Sequence, residues 1–198
     1  MRILKVCLTI ILLGAVIAPA VSAQWSVPME VYFGVGHSLP KDPAVFGDSF
    51  QGSYNLMVGV GARTFPFMEV VGKYEFHRFP SDIADMPGGT LSAKLLGVDG
   101  KATMKVPRFP LQPYLLLGMG MSWLRQSAWT AQRGPVFQGQ TDLYFDFGAG
   151  AQLQFDGPLG VFGQAKMVHI NMSQPNQKVS DNLRFWTITV GLKFTEGL

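Results

Sequence analysis

Apolar and polar positions alternate without interruption over residues 142–155. Leu143, Phe145, Phe147, Ala149, Ala151, Leu153 and Phe155 form one set. Asp142, Tyr144, Asp146, Gly148, Gly150, Gln152 and Gln154 form the other. A period of two is a β-strand with one greasy face and one wet face. The run far exceeds the usual strand of ~5–6 residues and reaches the ~9–11 tilted residues that cross a membrane as a strand. Asp156-Gly157-Pro158 then supplies a tight turn.

The same alternation predicts seven more strands, at 29–36, 52–64, 67–79, 92–106, 114–124, 159–170 and 185–194. Strand 92–106 is less regular, and Gly100 reads there as a bulge. In 159–170, Phe162 and Val168 share the polar phase. The stretches 37–51, 80–90, 125–141 and 171–182 read as long loops. Phe65-Pro66, 107–113 and 156–158 read as short turns. Long and short connections therefore alternate around an even number of strands. The prediction is an all-β, eight-stranded, antiparallel up-and-down transmembrane barrel, with long external loops and both termini in the periplasm. Closure would leave no unpaired backbone edge in lipid.

Alternation does not say which face looks inward. A soluble lipocalin-like cup would turn its apolar face in and its polar face out. Three features favour the apolar face outward. The polar phase is studded with glycine, at Gly34, Gly36, Gly59, Gly61, Gly118, Gly120, Gly148 and Gly150. Small residues suit the crowded lumen of an eight-stranded barrel. That phase also carries both signs of charge, at Glu30, Arg63, Glu69, Lys73, Glu75, Asp99, Lys101, Asp146, Lys166 and Lys193, as enclosed charges that must pair would. Aromatic residues near strand ends, Trp123, Phe145, Phe155, Trp186 and Phe194, sit on the apolar phase and suit interfacial girdles.

The first 23 residues stand apart. Arg2 and Lys5 precede an apolar run at 8–17, and Val21-Ser22-Ala23 offers a cleavage site before Gln24. This is the pattern of a secretory signal peptide, so the barrel domain is 24–198. The single cysteine, Cys7, lies in the signal, so the exported chain has neither a disulfide nor a thiol nucleophile. Loss of Arg2 and Lys5 lowers the formal charge from +3 to +1, and no basic run points to nucleic acid.

With these residues in view, the chain resembles the OmpA-like outer-membrane β-barrel superfamily. The resemblance rests on GVGHSLPKDPAVFGDSF, GSYNLMVGVGARTFP, PYLLLGMGMSW and WTITVGLKF. These are glycine and aromatic patterns, not reactive groups. The resemblance implies an outer-membrane protein with a structural or surface-interaction role. Its partners would be outer-membrane lipid and lipopolysaccharide, the barrel-insertion machinery, and an external ligand at the loops. Members of this superfamily often end on an aromatic residue; here Phe194 is followed by Thr195, Glu196, Gly197 and Leu198.

Candidate chemistry is sparse, and no catalytic, cofactor-binding or metal-binding residue is assigned. His169-Ile170-Asn171-Met172-Ser173 is similar to the His-x-Ser-Asn motif of lipid A deacylases, which places a nucleophile and its base together. Asn171 stands in the serine's place, however, and parity sets His169 on the lipid face beside Met167. His77 with Glu75 and Glu69 could form a metal or acid–base site, or an interior ion-pair network with Lys73. His37 is isolated. The GVG and GMG repeats lie within strands, so they are not phosphate loops. If the signal assignment holds, amino-terminal sequencing of the protein from isolated outer membranes begins at Gln24. A chain that retains Met1 contradicts it.

Overall fold

Each alternating ribbon finds a neighbour on both sides. In the computed structural model, which describes residues 28–81, 89–104, 110–127, 140–172 and 182–196, the order is β1 (Met29–Asp42), α1 (Ala44–Ser49), β2 (Ser53–Phe65), β3 (Met68–Pro80), β4 (Thr90–Thr103), β5 (Leu111–Ser127), β6 (Gln140–Gln154), β7 (Leu159–Asn171) and β8 (Leu183–Glu196). Every strand pairs with the next, and β8 pairs antiparallel with β1 to close the barrel. The segment read as a signal peptide lies outside the described residues.

Sidedness follows the amino-acid pattern. Leu117 is 69% exposed and Phe147 49%, whereas Asp146 and Tyr144 are fully enclosed. Phe33, Val58, Leu96, Ile188 and Val190 also face outward. Glu30, Glu69, Lys73, Glu75, Asp99, Lys101, Lys166 and Lys193 all face the lumen. A soluble cup would have the reverse arrangement.

The glycines answer a crowding problem. A methyl group at Gly118 would overlap the carboxylates of both Asp99 and Asp146, and one at Gly61 would overlap the carboxylate of Glu69. The lumen is so narrow that a charged head from one strand rests against the bare backbone of another.

Several boundaries depart from the sequence expectation. β1 runs on to Asp42 instead of stopping at Gly36. Ser38 is buried and Leu39 exposed, so the alternation continues; the register slips only between Pro40 and Asp42. The first long loop is therefore shortened to 43–52, and most of it is α1. β5 begins at Leu111 and includes Pro113, opposite Ala151. Gly100 is not a bulge: it pairs in unbroken register with Val70 and with Leu117. The irregularity in β4 comes instead from Lys94 on the outer face and Leu91, Ala93 and Leu95 on the inner one. In β7, Phe162 and Val168 do point inward, and Phe162 packs edge-on against Tyr32 at 5.5 Å.

An exterior that touches hydrocarbon responds steeply to charge. Leu117→Arg should lower unfolding stability in lipid vesicles by about 2–4 kcal/mol, the cost of a cation on a lipid-facing mid-strand position. Urea titration followed by tryptophan fluorescence measures this. An unchanged midpoint would mean that Leu117 faces water.

Candidate functional site

Among the described residues, buried polar chemistry is concentrated in the lumen, where it is built in storeys. Nearest the short-turn end, Glu30 lies 2.5 Å from Arg63 and 3.1 Å from Lys193. The Tyr32 hydroxyl sits 2.5 Å from Glu30 and 2.7 Å from Glu69, and accepts a hydrogen bond from Lys101 at 2.8 Å. Lys101 also reaches Glu69 at 3.2 Å and the Gln152 side-chain carbonyl at 2.7 Å. Its ammonium lies 4.7 Å from the ring centres of both Tyr32 and Tyr114, within cation–π range.

The next storey is centred on Lys73. It contacts Asp99 at 2.6 Å, Asp146, and Glu75 at 3.7 Å. Lys166 contacts Glu75 and, at 3.0 Å, Asp146. The lower storey sets three cations against two carboxylates, and this one sets two cations against three. Across both, the formal charges cancel, as ions removed from water require.

Above it, His77 is held between two partners: Nε2 lies 3.2 Å from Glu75 and Nδ1 lies 2.8 Å from the Ser38 hydroxyl. Asn55 donates to Ser38 and Thr187 and accepts from Thr189. Every member of this small amide–hydroxyl network is satisfied by a neighbour.

The long-loop half of the lumen changes character. Phe46, Phe50, Phe79, Leu91, Leu95, Leu124, Ile170, Leu183 and Phe185 form a buried apolar cluster. Phe46 from α1 meets Phe79 edge-on at 5.1 Å, Phe79 meets Phe185 at 5.3 Å, and Phe185 meets the His77 ring at 4.9 Å. Glycines and charges thus fill only part of the interior. Toward the long loops the inward positions become apolar, and α1 adds an aromatic stopper that strand periodicity could not reveal.

The sequence candidates separate accordingly. Glu75, His77 and Lys73 do come together, but Glu69 belongs to the storey below, with Tyr32 and Lys101. The grouping behaves as an ion-pair network, and sequence reading missed its cross-barrel partners Asp146 and Lys166. Among the described residues, no group of three His, Cys, Asp or Glu side chains could hold a metal ion. His169 pairs with Phe145 and Arg184 across the sheet, on the outward face, and its Nδ1 accepts a hydrogen bond from Arg184 Nε at 3.0 Å. Asn171 is exposed on the same face. Ser173 lies outside the described residues. His37 is exposed on the outer face of β1.

Among solved structures, the chain is similar to Neisserial surface protein A, with a TM-score of 0.60 at 14% identity over 84% of this chain and 96% of that one. It is similar to a major outer membrane protein from Thermus thermophilus, with a TM-score of 0.59 at 10% identity over 84% of this chain and 99% of that one. It is also similar to the outer membrane protein OprG from Pseudomonas aeruginosa, with a TM-score of 0.58 at 11% identity over 87% and 97%. This chain has the fold of a small outer-membrane barrel. The likeness read in its glycine and aromatic segments is thus borne out as fold. No protein-family model matches the chain, and no curated protein matches it in sequence.

The Lys73 storey gives a direct test of charge compensation. Lys73→Met leaves Asp99 and Asp146 short of a partner inside the lumen and should cost about 3–5 kcal/mol, as breaking a buried pair does. Pairing it with Asp99→Leu should recover part of that loss in a double-mutant cycle. Two independent, additive losses would show that Lys73 and Asp99 do not compensate each other.

Proposed function

We infer that this chain is an integral outer-membrane protein without enzymatic activity, held with its termini in the periplasm and its four long connections outside. Its role is structural or one of surface interaction through those connections. The observation that carries this reading is the combination of an apolar exterior with a lumen occupied from end to end. Ion pairs fill one half and packed rings the other, so the barrel is a rod, not a wide pore. The inferred partners are the surrounding lipid and lipopolysaccharide, the barrel-insertion machinery, and an external ligand at the loops.

The hydrolase alternative needs a serine within reach of His169. His169 instead shares its Nδ1 with Arg184 on the lipid-facing side, which supports a rim role for this histidine.

Purified protein reconstituted into planar bilayers should show no stable conductance steps, and lipid A incubated with it should keep its acyl chains. Its gel mobility should shift on heating, as a barrel that unfolds only when boiled does. Sustained channel openings would overturn the filled-lumen reading. Deacylation that disappears in His169→Ala would replace it with the hydrolase.

A further inference from the structure

Among the described residues, the charged side chains that the strands leave exposed are Lys41, Arg78, Lys94, Arg125 and Arg184. All five are cations, and all lie at the long-loop ends of their strands. The strand carboxylates Glu30, Glu69, Glu75, Asp99, Asp142 and Asp146 are buried in the lumen, and Asp42, opposite Arg184 at the end of β1, is half-buried. The fully exposed charges described on the strands are therefore of one sign and at one end.

Three of these cations sit on adjoining strands. Ser92 on β4 is flanked in register by Arg78 on β3 and Arg125 on β5. With strands ~4.8 Å apart, the two arginines rise from Cα atoms about 10 Å apart on the same face. Lys94 stands on that face two residues below Ser92, between Phe76 and Trp123 in the register. The short Ser92 side chain stands between the two arginines in the register and donates to the Arg125 carbonyl at 3.0 Å. None of the three cations has a carboxylate within ion-pair distance among the described residues. Arg184, by contrast, is tied to His169.

The wall below the triangle decides what sits there. Leu96, Met121 and Tyr74, further down the same face, are 51%, 47% and 42% exposed. A ligand that satisfies the whole patch has anionic groups above and hydrocarbon directly beneath. Guanidinium groups match phosphate bidentately, and the arginine and lysine stems cover apolar surface while lifting their charges to the headgroup level. A soluble acidic partner would have no use for the apolar wall.

We propose that Arg78, Lys94 and Arg125 form a binding site for the phosphates of a phosphorylated, multiply acylated glycolipid of the lipid A class in the outer leaflet. The site deepens the membrane reading given above and rests on it, because it needs the long-loop end to meet that leaflet. Two arginines on either side of Ser92 can each take a phosphate oxygen pair. The lysine, lower down, meets the glycolipid where its headgroup joins its chains.

The test uses the full mature protein in phosphatidylcholine nanodiscs, titrated with bis-phosphorylated lipid A, with dephosphorylated lipid A and with phosphatidylglycerol. Retained lipid is counted by native mass spectrometry. The wild type should hold bis-phosphorylated lipid A in preference to both other lipids. Arg78→Gln, Lys94→Gln and Arg125→Gln should each weaken it about fivefold, and the triple variant on the order of a hundredfold, the scale for cations meeting anionic lipid. Arg184→Gln, also at the long-loop end but outside the triangle, should change little. Equal retention of the dephosphorylated lipid or of phosphatidylglycerol by the wild type overturns the site, and so does an equal loss in Arg184→Gln. Should the triple variant not fold, the wild-type lipid comparison and the single variants decide alone. Failure here with a normal heat-shifted barrel would remove the glycolipid site and leave the membrane reading intact.

Discussion

Hydrocarbon offers no hydrogen-bond partner to a peptide group. A chain that crosses it as strands must therefore pair every strand on both sides, and closure of β8 onto β1 is the consequence. The rest of the structure follows from that closure. Eight strands enclose a lumen only as wide as a few side chains, so what points inward must fit and, if charged, must cancel. What points outward must tolerate lipid. A two-residue period meets both demands with one sequence.

The interior ion pairs are a solution to confinement, not a free source of stability. Desolvating each ion costs several kcal/mol, and attraction within the low-dielectric lumen only offsets that when geometry and charge count agree. Here the two polar storeys are individually unbalanced, with an excess cation below and an excess carboxylate above, and neutral together. Val71 separates Glu69 from Lys73 along the inner face of β3, in a buried cluster with Tyr32, Met57 and Phe162. Near the long loops the problem is solved differently. Phe46, Phe79 and Phe185 close the lumen by packing, and His77 joins the two regimes by touching both Phe185 and Glu75.

Much of this was legible in the chain. The alternation in 142–155 gave β6 almost to the residue, and the inward glycines were correctly read as relief of crowding. Periodicity could not supply what depends on several strands at once. Lys73 and Asp146 are 73 residues apart, and only the barrel register makes them partners. The continuation of β1 past Gly36 was masked by Pro40 and Pro43, which read as loop residues although Ser38 and Leu39 keep the alternation. Helix α1 is a single short turn set among those same residues, too brief for a helical period to show. At the rim, the chemistry of the two faces inverts in β4 and β8: Lys94 and Arg184 point out while Leu95 and Phe185 point in. A pattern search that assumes one sense for the whole strand takes this inversion for irregularity, although it accompanies the apolar packing of the long-loop half.

The central claim is one of sidedness, and spin labels read it directly. The sole cysteine is Cys7, so once it is replaced, single cysteines at the outward positions Leu115, Leu117, Met119 and Met121 of β5 can each carry a label that leaves the crowded lumen untouched. In nanodiscs, collision with dissolved oxygen should be high at all four, while a water-soluble nickel chelate should reach none of them well. Low oxygen collision together with frequent chelate collision at Leu115, Leu117 and Met119 would contradict a wall that faces lipid.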